Sequence, residues 1–447
     1  MPPPVVIPRA DHRISRKDVD PDALRVLYRL HQHGHAAYLV GGSVRDLLLG
    51  RQPKDFDIGT DAQPQQIKRL FRNCWIIGRR FRLAHVKFGL KTIEVATFRK
   101  NVPDPPPDAT PDAPPADASV LVASSTPEHA APEPSAAMIH RDNTFGTPEE
   151  DAFRRDFTIN GLFYDISNFS VIDFVGGLGD LEQRIIRSIG DPNVCFVEDP
   201  VRMFRAAVFD ARLGFDLDEP VLEAIAKHRG LIMKASAARL LEEYFKILRS
   251  GNAEASFRAL GRLRLLELVT PDLKDPPDAV WDSLARLDAY RRKFPTAPAE
   301  FTTTVLIGSL LVPLGALDRP RPNTPAADPR HQERVDFGML QVAKKDIERL
   351  RQLRLILPKM TDPGLPPRVA RGMAHRPAFG DALAWLAIFG DSPQIVEHWH
   401  QVRAHRPAPH AAPETGGEAQ PAPPGDQPAR RRRRRRRRGR RGQGPAA

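Results

Sequence analysis

Cysteine is nearly missing: the 447 residues include only Cys74 and Cys195. Two thiols cannot build a disulfide framework or a cysteine-rich zinc centre, and such sparing use is that of a reducing compartment. Both read as ordinary buried thiols. Long apolar runs are missing too. No stretch reaches the roughly 18 apolar residues of a membrane span, and the Met1-Pro2-Pro3-Pro4 start lacks the continuous apolar core of a secretory leader. The chain is therefore expected to be cytoplasmic, with no transmembrane segment. Internal repeats are absent as well, which excludes a solenoid. A generally basic surface is also lacking. The formal charge is +12, but eleven of those charges sit in Arg430–Arg438 with Arg440 and Arg441, so the rest of the chain is near neutral.

What is present is length enough for several folded units. The 45 prolines cluster. Asn101–Ala137, with Pro105-Pro106-Pro107 and Pro114-Pro115, is too poor in apolar side chains to offset the entropy of ordering it, and reads as a disordered insertion within a domain. Asp318–Arg330 is a shorter loop of that kind, and residues 407–447 form a disordered Arg-rich tail. Between these breaks the pattern changes once. From Ala36 to Ile189, β-rich runs (Tyr38–Val40, Trp75–Ile77, Ala84–Phe88, Thr92–Thr97, Ser170–Phe174) alternate with helical signals. From Asp199 onward apolar residues recur at helical spacing. Leu240, Leu241, Tyr244, Phe245 and Leu248 form one stripe that stops at Gly251, and Ile347, Leu350 and Arg354 mark another helix. The fold class is α+β, with an all-α second half.

The segment Tyr38–Asp61, YLVGGSVRDLLLGRQPKDFDIGTD, carries most of the chemistry. An apolar strand runs into Gly41-Gly42, where missing side chains let the backbone bend and approach a ligand, and Ser43-Val44-Arg45-Asp46 opens a helix. Such a turn can cradle a phosphate, though two glycines before a helix also make an ordinary tight turn. Asp55-Phe56-Asp57 follows. In a strand, positions i and i+2 share a face, so both carboxylates point to one spot, where they repel unless a cation sits between them. A hard divalent ion fits, Mg²⁺ first and Mn²⁺ as the alternative. A DxD pair is otherwise a solvated surface pair. Beside a phosphate-cradling turn it points to two-metal phosphoryl or nucleotidyl transfer. Glu94, between Ile93 and Val95 on another strand, is placed as the third acidic ligand; the alternative is a solvent-facing side chain.

GGSVRD followed by KDFDI resembles the first motif of the class II tRNA nucleotidyltransferase and poly(A) polymerase superfamily. Arg154-Arg155-Asp156-Phe157-Thr158-Ile159-Asn160 is similar to its RRDFTINA motif, and Glu198–Arg205, EDPVRMFR, to its EDPxRxxR motif. The resemblance covers about residues 20 to 260. It implies a polymerase-β-like nucleotidyltransferase head (20–190), a helical nucleotide-reading neck (191–275), and a helical body with RNA-binding C-terminal helices (276–406). It further implies ATP contacts from Gly41, Gly42, Arg45 and Arg155, a catalytic role for Asp156 with Asp55, Asp57 and Glu94, and Asp55 and Asp57 as metal ligands. Asp199 and Arg202, read as one helical turn apart on one face, resemble the pair that recognises the incoming base, with Arg205 reaching the phosphates. Without the family, Asp199 and Arg202 are a plain i,i+3 salt bridge.

Trp75–Gly89, WIIGRRFRLAHVKFG, and the run DNTFGTPEEDAFRRDFTIN resemble the bacterial poly(A) polymerase branch more than the CCA-adding branch. Two departures stand out. Val208-Phe209 occurs where the family has Arg-Phe, followed by Asp210 in place of a small residue, and Gly161 replaces the usual Ala. The expected activity is addition of AMP from ATP to RNA 3′ ends. CCA or A addition to tRNA and a non-catalytic RNA-binding role are the alternatives. Expected partners are RNA and ATP, with RNA-degradation machinery or RNA chaperones. The tail Arg430, Arg431, Arg432, Arg433, Arg434, Arg435, Arg436, Arg437 and Arg438 is expected to bind RNA through charge alone.

Overall fold

The computed structural model describes residues 3–78, 82–89, 91–100, 144–318, 335 and 337–404. The insertion 101–137, the loop that follows Asp318 and the arginine tail lie outside the described residues. The head begins with β1 (Val5–Ile7) and α1 (Pro21–Gln32). Asp20 starts α1 by accepting from the backbone N–H groups of Asp22 and Ala23, Pro21 presets the first turn, and Ala23, Val26, Leu27 and Leu30 fall on one face and are buried. Then come β2 (Ala37–Val40), α2 (Gly42–Leu48), β3 (Asp57–Thr60), α3 (Pro64–Leu70), β4 (Cys74–Ile77), β5 (Leu83–Phe88) and β6 (Lys91–Thr97). After the undescribed stretch, α4 (Pro148–Phe153) starts on a Thr147/Glu150 capping box, and β7 (Leu162–Asp165) and β8 (Ser170–Asp173) close the sheet.

The eight strands lie in the order β1-β8-β7-β2-β3-β6-β5-β4. Only β3 and β6 run parallel, so the sheet is mixed. Strict alternation decides which side is covered. Ile58, Val95, Ala84, Val86 and Cys74 point to the face packed by α1 and α3, while Asp57, Glu94, His85 and Trp75 alternate with them on the other. Beneath α4, that second face is closed by a small cluster of Val40, Phe98, Ala152 and Phe163.

The chain continues through α5 (Gly177–Gln183), β9 (Ile185–Ile186), α6 (Pro192–Glu198) and α7 (Val201–Phe209). A π-turn, Asp210–Gly214, leads to β10 (Asp216–Leu217) and α8 (Glu219–His228). The second half is thus not purely α: β10 pairs in parallel with β9, because Asp216 and Asp218 donate their N–H groups to the carbonyls of Arg184 and Ile186. The remaining helices are α9 (Ala237–Leu248), α10 (Ala253–Arg262), α11 (Leu266–Val269), α12 (Asp278–Arg291) and α13 (Thr303–Leu311). They are followed by α14 (Lys344–Met360), α15 (Pro367–Ala374), α16 (Phe379–Phe389) and α17 (Pro393–Ala404). The stripe expected around Leu240 is α9, which buries Leu240, Tyr244, Ile247 and Leu248.

One apolar cluster runs continuously from the head into these helices. A second, of Leu353, Met373, Phe379 and Trp399 with their neighbours, holds α14 to α17 together. Head and helices meet through α7, whose Met203, Phe204, Ala206 and Ala207 are fully buried. That junction sets the site.

Candidate active site

The strand β2 ends at the two glycines, and they differ. Gly41 has φ 70° and ψ −131°, a conformation costly for any residue with a Cβ, whereas Gly42 is the first residue of α2 and has no positive φ. A Cβ on Gly41 would lie 2.9 Å from Arg155 Nη1, while one on Gly42 would meet Arg45 Nη2 at an ordinary 3.5 Å. Close approach is therefore needed at Gly41, and what approaches is the guanidinium of the second motif.

Arg155 is held where it is. Asp151 Oδ2 accepts from its Nη2 at 2.8 Å and its Nε at 3.2 Å, its Nη1 reaches the Asn160 carbonyl at 3.4 Å, and its plane lies 5.2 Å from the Phe163 ring centroid. Asp151 is itself buried and also accepts from the Arg99 N–H. It went unremarked in the sequence, although its i,i+4 spacing from Arg155 at the end of α4 was the available signal.

Arg45 does something else. It is 2 % exposed, with Nε 2.8 Å from Asp46 Oδ1, Nη1 2.6 Å from Asn160 Oδ1, and the Phe209 ring 5.3 Å away. Burial pulls its pKa down, against the pull of Asp46. The expectation that Arg45 contacts ATP is corrected: its donors are spent inside the protein, where it joins α2 to the Asn160 loop and to α7.

Asp55 and Asp57 occupy one side as expected, with Phe56 and Ile58 buried between and beyond them, but β3 starts only at Asp57, so Asp55 precedes the strand. Ile58 pairs with Val95, which sets Asp57 beside Glu94 on the neighbouring strand. Asp57 senses the other two. Asp57 is pushed up to about 6, first by the protein crowding it, then by the charges of Glu94 and Asp55, against the opposing pull of Arg155. Glu94 is half exposed, and His85 faces it across β5 and β6 with Nε2 3.6 Å from Oε1. Among the described residues no group of three or more His, Cys, Asp or Glu closes into a metal-sized cluster. The donor set nonetheless fits a hard divalent cation: Asp55 and Asp57 offer hard carboxylate oxygens to an ion that completes its shell with phosphate and water.

Asp156 is placed apart from those carboxylates. It is 6 % exposed and accepts at Oδ1 from the Phe157 N–H and Asn160 Nδ2, with Arg205 Nη2 2.8 Å from Oδ2. Burial alone would raise its pKa, but Arg205, Asn160 and the Phe157 N–H together hold it below the usual carboxylate range. Arg205 is in turn raised by Asp156.

Asp199 and Arg202 are not a helical i,i+3 pair, and this expectation too is corrected. Asp199 precedes α7, where its carboxylate accepts from the Val201 N–H at 3.2 Å and from Arg239 at 2.8 Å. Arg202 instead donates to the Arg154 carbonyl at 3.1 Å. Nothing in the sequence announced Arg239, which comes from α9. All three motifs therefore meet: the first touches the second through Gly41 and Arg45, and the third touches the second through Arg202 and Arg205.

The departures are absorbed locally. Phe209 receives the faces of Arg45 and Arg205, and Asp210 finds its own cation in Arg262 at 3.1 Å. A Cβ on Gly161 would come 2.5 Å from Val175 Cγ2, so glycine here makes room for that valine.

Residues 37–187 match the family described as the poly A polymerase head domain, and residues 214–275 the family described as the "Probable RNA and SrmB- binding site of polymerase A". The head is therefore a domain of the poly A polymerase head type. Over 268 residues it is 46 % identical to poly(A) polymerase I of Salmonella typhimurium, an alignment covering 60 % of this chain and 54 % of that one. To the CCA-adding enzyme of Bacillus pumilus it is 34 % identical over 245 residues, covering 55 % and 54 %. The chain thus spans about half the length of the curated relatives it matches. Among solved structures, the Bacillus stearothermophilus CCA-adding enzyme in complex with CTP superposes with a TM-score of 0.55 at 24 % identity, covering 86 % of this chain and 83 % of that one. That likeness is one of fold: a nucleotidyltransferase head followed by a mostly helical body. Among the described residues no helix is long and apolar enough to cross a membrane.

Proposed function

We propose that the protein is a polynucleotide adenylyltransferase that adds AMP from ATP to RNA 3′ ends. The supporting observation is the meeting of the three motifs, which brings a fixed guanidinium, Arg155, over a glycine turn in the head that also carries the coupled carboxylates Asp55, Asp57 and Glu94. ATP rather than CTP is favoured because the identity to poly(A) polymerase I exceeds that to CCA-adding enzymes.

In this reading the triphosphate lies along the Gly41-Gly42 turn against Arg155, whose planar donors match phosphate oxygens and whose position Asp151 fixes in advance. The RNA 3′-oxygen attacks the α-phosphorus, the bond to the bridging oxygen breaks, pyrophosphate leaves, and the hydroxyl proton passes to Glu94. Asp55 and Asp57 would hold Mg²⁺ or Mn²⁺, which lowers the pKa of the attacking hydroxyl and neutralises charge on the departing pyrophosphate. Asp156 acts at one remove by holding Arg205 toward the site. Asp199 and Arg202 read the adenine edge, the carboxylate accepting from the amino group and the guanidinium donating to a ring nitrogen.

The domain bounds follow: head 20–190, neck 191–275, body and RNA-binding helices 276–406. Residues 430–438 tether RNA, so deleting 430–447 is expected to raise KM for RNA at low salt only. A cytoplasmic role in RNA turnover, beside degradation machinery or RNA chaperones, completes the reading.

Purified protein is incubated with a short RNA, Mg²⁺ and each nucleoside triphosphate in turn. Extension with ATP alone supports it. Extension with CTP followed by ATP on tRNA ends supports CCA addition, and no extension at all refutes transfer.

A further inference from the structure

Two large apolar side chains on one edge of the head stay half exposed. Trp75 lies on β4, the edge strand of the sheet. Its neighbour Cys74 turns inward to the cluster covered by α3, but Trp75 and Ile77 turn the other way and are 51 % and 50 % exposed. The register fixes where Trp75 stands. It is paired with His85, His85 is paired with Glu94, and Glu94 lies beside Asp57 through the Ile58 and Val95 pairing. Side chains directly across neighbouring strands project to the same face. One row therefore runs from the carboxylates to the sheet edge: Asp57, Glu94, His85, Trp75. At the usual strand spacing, three steps place Trp75 about 14 Å from Asp57. At its outer end stands a cation, since Lys87, two residues from His85 on the same face, sets Nζ 5.3 Å from the Trp75 ring centroid.

We infer that Trp75 and Lys87 form a stacking platform for a base of the RNA strand a short distance upstream of the 3′ end being extended. A half-exposed indole offers ring surface to any base, and the ammonium held over that ring is placed to meet the phosphate that follows; together these are the elements of sequence-tolerant single-strand binding. The charge argues against an apolar protein partner. Trp75 and Ile77 alone, with Lys87, His85 and Glu94 beside them, make only a small apolar patch, whereas RNA uses the aromatic ring and the cation together. The inference rests on the nucleotidyl-transfer reading in one respect only, that the growing end lies at Asp57.

The test uses the full chain with Trp75→Ala, Trp75→Phe and Lys87→Gln. With saturating ATP and a short oligoadenylate, Trp75→Ala is expected to raise KM for RNA about 5- to 100-fold, with kcat and KM for ATP unchanged. Trp75→Phe should restore most of the affinity, because a ring remains. Lys87→Gln should give a smaller loss that disappears at high salt. Quenching of tryptophan emission by RNA, measured without ATP, should be strong in the wild type and largely lost in Trp75→Ala. Wild-type KM for RNA with undiminished quenching in Trp75→Ala overturns the platform, and leaves a protein partner as the reason for the exposed indole. Should the wild type transfer no nucleotide, the function reading fails by itself. The quenching then decides alone, its loss in Trp75→Ala upholding the platform and its persistence overturning it.

Discussion

Two adjacent glycines should respond oppositely to the same substitution. Gly41→Ala places a Cβ at φ 70° and ψ −131°, a region that costs a residue with a side chain roughly 1–3 kcal/mol. The new methyl also lies 2.9 Å from Arg155 Nη1, and Arg155 cannot withdraw without lengthening its 2.8 Å contact to Asp151. Losing one charge-assisted contact to the triphosphate costs about 1.5–3 kcal/mol, so kcat/KM for ATP should fall about 10- to 100-fold. Gly42→Ala carries neither burden: its φ is ordinary, its Cβ meets Arg45 at 3.5 Å, and alanine improves the first turn of α2. The assays are urea unfolding of both variants and steady-state AMP incorporation with ATP varied at saturating RNA. Gly41→Ala should lose stability and ATP use together, and Gly42→Ala should keep its stability. A Gly41→Ala protein with wild-type KM for ATP and wild-type stability would refute both the strained turn and the placement of Arg155.

Asp57 gives a pH signature. Its folded pKa, about 6, lies above the 3.8 of an unperturbed carboxyl, so the folded chain binds this proton more tightly than the unfolded one, and the ionised form costs stability increasingly as pH rises from 4 to 6. With divalent ions chelated, Asp57→Asn should therefore be more stable than wild type at pH 7.5, by about 1 kcal/mol once solvent screening is allowed for, and equal to it near pH 4, as paired denaturant melts will read. Removing Arg205 leaves Asp156 buried without its cation, so Arg205→Met should destabilise by about 2–4 kcal/mol, and adding Asp156→Asn should recover part of that loss in a double-mutant cycle; strict additivity would mean that the pair is not coupled. Asp199→Ala and Arg202→Ala should each narrow the preference for ATP over CTP in competition assays, and an unaltered preference in both would remove them from base reading.

The sequence was most legible where a period or a turn constrains the backbone. Alternation placed Ile93 and Val95 inside and Glu94 outside, and the stripe from Leu240 ended as expected before Gly251, whose φ is 85°. Partners were far less legible. The identities of Arg45, Asp156 and Arg205 could be read, but their destinations depend on contacts spanning up to 115 residues, as between Arg45 and Asn160, and no local spacing encodes such a distance. Arg45 shows the consequence. A guanidinium beside a glycine turn looks like a phosphate ligand until α7 is packed over it and Phe209 closes its face. Short edge elements were missed for another reason: β1, three residues long, forms only because β8 offers it a free edge.

The distribution of counter-charges identifies the working part of the site. Asp46 is matched by Arg45 and Arg212, Asp151 by Arg155, Asp156 by Arg205, Asp199 by Arg239 and Asp210 by Arg262. Each pairing sets a cation against a carboxylate, and most of them tie one motif or helix to another. Asp55 and Asp57 form no ion pair among the described residues, and Asp57 is raised, first by the protein crowding it and then by the charges of Glu94 and Asp55. A fold that supplies an arginine to these five carboxylates, and places none in an ion pair with Asp55 or Asp57 among the described residues, leaves negative charge on the open side of the head. In the proposed reaction, filling that position with an internal arginine would block the chemistry, because a cation that must also bind phosphate has to be exchangeable. In that reaction the unneutralised pair is the part of the head that would receive a cation from solution.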